Sequence, residues 1–176
     1  DARHFKLIDF GSATQHHDLH TNHVQASWYR SPEVILGCPW GPKIDIWALG
    51  CMLFEVEVGV PLFSFSSPEL ILAAQEAVCG PFPAWMLVQH PVVLKYFGPG
   101  GRPYEVDPAG MATGVYELAP SQGSSLRSIL YSQLSPAVYG DVAGSISFLE
   151  TLLRLDPNMR PTAAQAANRP RLRGHR

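Results

Sequence analysis

The chain has 176 residues, of which 46% are hydrophobic and 16% charged, with a formal net charge of −2. That is apolar matter for one sizeable core and short of what two complete domains need, while the near-neutral balance offers no field for nucleic acid or an acidic membrane surface as partner. The most apolar stretch, Ile44 to Val60, carries Asp45, Glu55 and Glu57, which excludes a transmembrane reading.

Cys38, Cys51 and Cys79 are widely spaced and in no metal-ligand pattern, which suits a reducing, intracellular compartment, cytoplasm or nucleus. The chain opens on Asp1 with no apolar leader. It reads as a fragment rather than a processed secretory product.

In chain order, Phe5 to Phe10 is short, β-rich and bounded by Gly11, the pattern of a buried strand that ends at a turn. Residues 12–30 are rich in His, Ser and Thr without a sustained period, so a long functional loop is expected. Ser31 is suited to cap the helix that follows and Pro32 to its first position. Ile44 to Val58 is apolar nearly all round, which predicts a helix buried on every side.

Ser66 to Glu69 has capping-box spacing, and Gly80-Pro81 is a stop, which predicts a helix between them. Residues 98–123 hold ten Gly or Pro and no period, so they read as an inserted excursion. Val142, Ile146, Leu149 and Leu153 mark a helical stripe with Glu150 and Arg154 paired at i,i+4 outside it, ending at Asp156-Pro157. Thr162 to Gln165 is a second capping box, opening an alanine-rich last helix. The tail with Arg169, Arg171, Arg173 and Arg176 reads as a solvated basic end. The pattern as a whole is a mainly α lobe organised around residues 44–58, with short strands near the N-terminus.

Three motifs stand in fixed order: Ile8-Asp9-Phe10-Gly11, then Tyr29-Arg30-Ser31-Pro32-Glu33, then Asp45-Ile46-Trp47-Ala48-Leu49-Gly50. Each is weak alone, but together, on the right expected elements, they resemble the C-terminal lobe of a eukaryotic protein kinase. The resemblance covers a partial domain over residues 1–172. It gives an activation segment at 9–33, a central helix at 44–58, an insert at 81–135 and last helices at 140–168, ahead of a basic tail at 173–176. Tyr29 to Gly37, Ile8 to Ala13, and the run from Pro83-Ala84-Trp85 to Lys95-Tyr96-Phe97 with its Gly/Pro-rich insert are similar to the CMGC group, most of all its DYRK, YAK and HIPK branch.

The resemblance implies roles residue by residue. Asp9 would ligate the Mg²⁺ that bridges the ATP phosphates, since a hard cation takes carboxylate oxygen. Phe10 would pack into the core and Gly11 would permit the turn that follows. Glu33 and Arg160 would form a buried ion pair, Asp45 would accept hydrogen bonds from a catalytic loop, and Trp47 would lie in the core.

Arg30 would meet a phosphotyrosine, yet the DYRK tyrosine falls at His23 and the Ser/Thr position of the family at Ala26, beside Ser27. Thr14, Thr21 and Ser27 are candidate phosphosites. A rival reading takes His16, His17, His20, His23 and Asp18 as a metal cluster.

The Gly-rich loop, strand lysine and proton-accepting Asp of a kinase precede Asp-Phe-Gly, and eight residues lie ahead of Asp9. The expectation is therefore a piece of an ATP- and Mg²⁺-dependent Ser/Thr or dual-specificity kinase, acting on protein substrates and inactive by itself. The alternative is a non-catalytic, pseudokinase-like binding module.

Overall fold

A computed structural model of the chain describes residues 6–15, 24–88, 97, 104–106, 112–115, 125–133 and 142–168. Within them the short helix α1 (Pro32–Ile35) leads into α2 (Lys43–Val58), then α3 (Pro68–Cys79) and α4 (Ala84–Val88). The strands β1 (Tyr104–Val106) and β2 (Ala112–Val115) follow, and α5 (Leu126–Gln133), α6 (Val142–Leu152) and α7 (Ala163–Ala167) complete the order. The lobe is mainly α, as the residue pattern predicts.

Helix α2 is long because its interior lacks Pro and is rich in Ala, Leu, Met and Glu. It stops at Gly59, whose φ of 88° is left-handed and whose N–H donates to the Glu55 carbonyl at 2.7 Å, as a helix C-terminus with glycine does. Trp47, Cys51 and Phe54, at i, i+4 and i+7, are buried against Leu36, Phe63, Leu72, Leu130, Ile146 and Leu149. The Trp47 and Phe63 rings stack at 5.7 Å and 9°. Each fully buried aliphatic side chain of this set contributes about 1.5–3 kcal/mol.

The burial of α2 is one-sided, which corrects the expectation of burial all round. Asp45, Met52 and Val56, on one stripe of the helix, are exposed, Val56 to 75%. Met52 and Val56 are apolar, but no described element packs over them.

Helix α3 begins one residue later than the capping-box spacing suggests. Ser67 is the cap, accepting from Leu70 N–H at 3.3 Å, with Pro68 at the first helical position, because proline's fixed φ and missing N–H suit that place. Its C-terminal residue Cys79 precedes Gly80 at φ 93°, the expected stop. Thr162 and Gln165 form the expected capping box, with mutual bonds of 2.8 and 3.2 Å.

Glu150 does not pair with Arg154. It takes a fork from Arg127 of α5, Nε to Oε1 at 3.1 Å and Nη2 to Oε2 at 2.7 Å, a two-bond geometry that an i,i+4 pair on one helix rarely matches.

Two further corrections concern the ends of the expected pattern. No strand forms over residues 6–9; Leu7 and Ile8 are exposed, since no described strand offers them a ladder. The described strands lie in the Gly/Pro-rich insert instead, where β1 and β2 pair antiparallel with Tyr104 opposite Val115 and an irregularity between Glu105 and Val106. The remainder of the insert, the histidines at 16, 17, 20 and 23, Thr21 and the basic tail lie outside the described residues.

Candidate functional site: the Asp9 turn and the anchored segment Val24–Leu36

Asp9 sits at φ 63° and ψ 66° just ahead of a 3-10 turn over Phe10–Ser12, which closes with Ala13 N–H on the Phe10 carbonyl at 3.0 Å. Aspartate visits this left-handed region more readily than most residues, because its short polar side chain bonds locally. The special backbone therefore falls on Asp9 and not on Gly11, where an added Cβ would make only an ordinary 3.6 Å contact with Asp9 Oδ1. Phe10 does not enter the core: it is 68% exposed, and no described element covers it. Asp9 is exposed as well. A solvent-facing carboxylate fits Mg²⁺, which is usually held by one or two carboxylates, waters and substrate phosphates rather than by an all-protein cage. No cluster of three or more His, Cys, Asp or Glu side chains gathers among the described residues.

The second half of the expected activation segment is tied down at many points. Arg30 donates from Nε to the Val24 carbonyl at 3.1 Å and from Nη2 to the Gln25 carbonyl at 2.9 Å. Gln25, at φ 62°, donates through Nε2 to the Ile44 carbonyl at 2.8 Å and accepts at Oε1 from Ser31 N–H at 3.0 Å. Gln75 of α3, fully buried, donates to the Arg30 carbonyl at 3.0 Å. Val24 is buried with Val34 and Ile44. Ser31 takes the N-cap position and Pro32 the first helical one, but the Ser31 hydroxyl makes no capping bond; the Ser31 N–H donates to the Gln25 amide oxygen.

At the end of the segment Glu33 meets Arg160 across 127 residues of sequence. The fork is two-pronged, Nη1 to Oε1 at 2.6 Å and Nη2 to Oε2 at 2.7 Å, with neither side chain exposed. Arg160 also donates to the carbonyls of Arg154 at 2.7 Å, Lys43 at 3.1 Å and Leu155 at 3.0 Å. These bonds satisfy the five donors of a guanidinium. Its plane lies over the Trp47 ring, 5.1 Å from the centroid, and Lys43 Nζ returns a bond to the Arg160 carbonyl. A buried charge pair is tolerated only when desolvation is offset this fully.

Asp45 is exposed, and its carboxylate has no hydrogen-bond partner among the described residues. Partial burial raises its pKa nonetheless. Thr14 and Ser27 are exposed. Tyr29 is half-buried and donates its hydroxyl to Glu55 Oε2 of α2; that bond, with partial burial and the nearby carboxylate charge, raises the phenol pKa.

Sequence reasoning did not find Gln25 or Glu55. A lone glutamine in a polar loop gives no pattern, but Glu55 left a signal: a carboxylate inside an apolar helix needs a donor.

Over residues 1–172 the chain matches the protein kinase domain. It belongs to the protein kinase family. The serine/threonine-protein kinase AFC1 of Arabidopsis thaliana is 35% identical over 169 residues, which are 94% of this chain and 34% of AFC1. The mouse (Mus musculus) dual specificity protein kinase CLK2 is 31% identical over 165 residues, 94% of this chain and 31% of CLK2. The DYRK-family kinase pom1 of Schizosaccharomyces pombe is 35% identical over 170 residues, 96% of this chain and 14% of pom1. These likenesses put the kinase domain in the DYRK and CLK part of the CMGC group; the CLK side was not visible in the motifs. The chain spans about a third or less of the length of these relatives.

Proposed function

We propose that this chain is the substrate-facing part of an ATP-dependent protein kinase that transfers the γ-phosphate to Ser/Thr hydroxyls of proteins, with Tyr as a second acceptor as in dual-specificity relatives. The observation that carries the reading is the contrast within residues 9–33. Asp9 stands exposed on its turn, while Val24 to Glu33 is held by hydrogen bonds to α2, α3 and Arg160. A kinase needs this division, because phosphoryl transfer depends almost wholly on positioning and charge stabilisation.

In this reading Asp9 holds Mg²⁺, which when bound neutralises charge on the transferring phosphoryl group. The Glu33–Arg160 fork fixes the end of the segment, and Gln75 and Gln25 fix its middle, so that the substrate meets a preset backbone. The Tyr29–Glu55 bond holds the segment against α2. Free thiols at Cys38, Cys51 and Cys79 agree with an intracellular setting.

The coding sequence immediately upstream of Asp1 tests the proposal. A Gly-rich loop, a strand lysine and a His-Arg-Asp loop there support the enzyme. Substitution of the lysine and the Asp would overturn it in favour of a non-catalytic binding module, for which the exposed Leu7, Ile8, Phe10, Met52 and Val56 are the natural contact surface.

A further inference from the structure

We propose that the cleft between the C-terminal end of α3, the start of α5 and the end of α6 binds a small amphiphilic anion, a molecule with an apolar body and one carboxylate head. No residue lining the cleft belongs to the segment 9–33. The inference therefore goes beyond the phosphotransfer reading and does not rest on it.

Three observations carry it. The first is room: the cleft has a volume of about 480 Å³, inside the range of about 300–1,000 Å³ that small-molecule sites occupy. At Gly80, on its wall, an added Cβ would meet no atom within 4 Å, so nothing among the described residues closes it there.

The second is an apolar lining. Ala77 and Val78 of α3 meet Leu126 of α5 and Leu153 there, a wall that gains by taking apolar surface out of water. Cys79 beside them adds no charge: burial pushes its thiol up to about 12, against the pull of the Arg160 and Arg154 charges.

The third is charge. The ionised side chains on the lining are Arg127, Arg154 and Glu150, two arginines against one glutamate. Both oxygens of Glu150 accept from Arg127, at 3.1 and 2.7 Å. Arg154 is left without a carboxylate, and its exposed guanidinium makes no hydrogen bond or ion pair among the described residues. A guanidinium with its donors free at the edge of an apolar cleft is a receptor for a carboxylate. The single excess charge matches a monoanion, whereas it would repel a cation and leave a neutral molecule with no partner for Arg154.

The test is equilibrium dialysis of radiolabelled octanoate against the full-length protein that carries this sequence, with unlabelled octanoate, acetate, octanol and octylammonium as competitors. Saturable binding is expected, with octanoate displacing the label at least about tenfold better than the other three. No saturable binding overturns the proposal. So does equal displacement by acetate, which has the head alone, or by octanol or octylammonium, which have the chain without the anion.

Hydrogen exchange read by mass spectrometry places the site: bound octanoate should slow exchange at residues 77–80, 125–127 and 150–154. Protection confined to other parts of the protein overturns the assignment. Arg154→Gln, at an exposed position, should weaken octanoate about threefold or more, and an unchanged affinity removes Arg154 as the receptor and with it the proposal. If that variant fails to fold, the competitor series and the exchange map on the native protein still decide. None of these readouts involves phosphotransfer, so failure of the kinase reading and failure of this site are separate results.

Discussion

Gly50 of α2 lies directly against Leu153, at the end of α6. A Cβ built at Gly50 would stand 2.8 Å from Leu153 Cδ2, 2.9 Å from Leu153 Cγ and 3.1 Å from Leu152 Cβ. Both leucines are buried, so neither can swing away, and the two helices meet here because glycine lets them. Gly50→Ala pits a helix-propensity gain of about 1 kcal/mol against overpacking of about 1–3 kcal/mol. The sterics should win. Urea unfolding is expected to show a lower midpoint for the variant; a higher one would mean that the α2–α6 contact is looser than described.

The Arg160 guanidinium holds together three chain segments through one charge. Replacing it by Met leaves the Glu33 carboxylate buried with no cation, at a cost of about 3–5 kcal/mol. Arg160→Lys should recover little of this, since an ammonium cannot supply a planar fork plus three carbonyl bonds. Glu33→Gln with Arg160→Met should cost less than the sum of the two single changes. Additive losses in that cycle, measured by chemical denaturation, would show that the pair is not coupled.

Tyr29 and Glu55 set a pH dependence in the alkaline range. The folded phenol titrates above its usual 10.0, chiefly through its bond to Glu55. A raised folded pKa means a contribution that is complete below the unfolded value and lost as pH climbs through the folded one. The stability advantage of the native chain over Tyr29→Phe should therefore be constant at about pH 8 and shrink toward about pH 11. Parallel stability profiles for the two proteins across that range would contradict the assignment.

The thiols make a probe of global opening. Burial pushes Cys38 up to about 11, with the Glu33 charge adding to it, and Cys79 up to about 12. Cys51, the most confined, is raised further still by burial. Because the thiolate is the nucleophile, alkylation of the native chain at about pH 8 should be slow at the buried Cys38 and Cys51 and faster at the half-buried Cys79, and fast at all three in denaturant. Cys38 or Cys51 reacting at the rate of a free cysteine in the native state would contradict the burial described for it.

What could be read from the residues alone depended on how local the cause was. The extent of α2, the Gly80 stop and the Thr162 capping box follow from contacts within four residues, and the pattern carried them. The Glu33–Arg160 pair joins positions 127 apart, and only the family motifs suggested it.

Where tertiary contacts decide, the residue pattern misled. Glu150 chose Arg127 over Arg154, and the apolar stripe of α2 at Met52 and Val56 stayed open because periodicity counts hydrophobicity and not the presence of a covering element. The bonds that Arg30 and Gln25 make were invisible because they run through backbone groups and one left-handed glutamine, neither of which has a sequence signature.

The account stands most directly on Asp9. In the full-length protein that carries this sequence, phosphate transfer from Mg²⁺-ATP to a protein substrate should be measured for the native enzyme and for Asp9→Asn. The account predicts transfer by the native protein and a fall in kcat of about a hundredfold or more in the variant, with an unchanged unfolding midpoint because Asp9 is exposed. Equal turnover by the two proteins, or none by the native one, would contradict it.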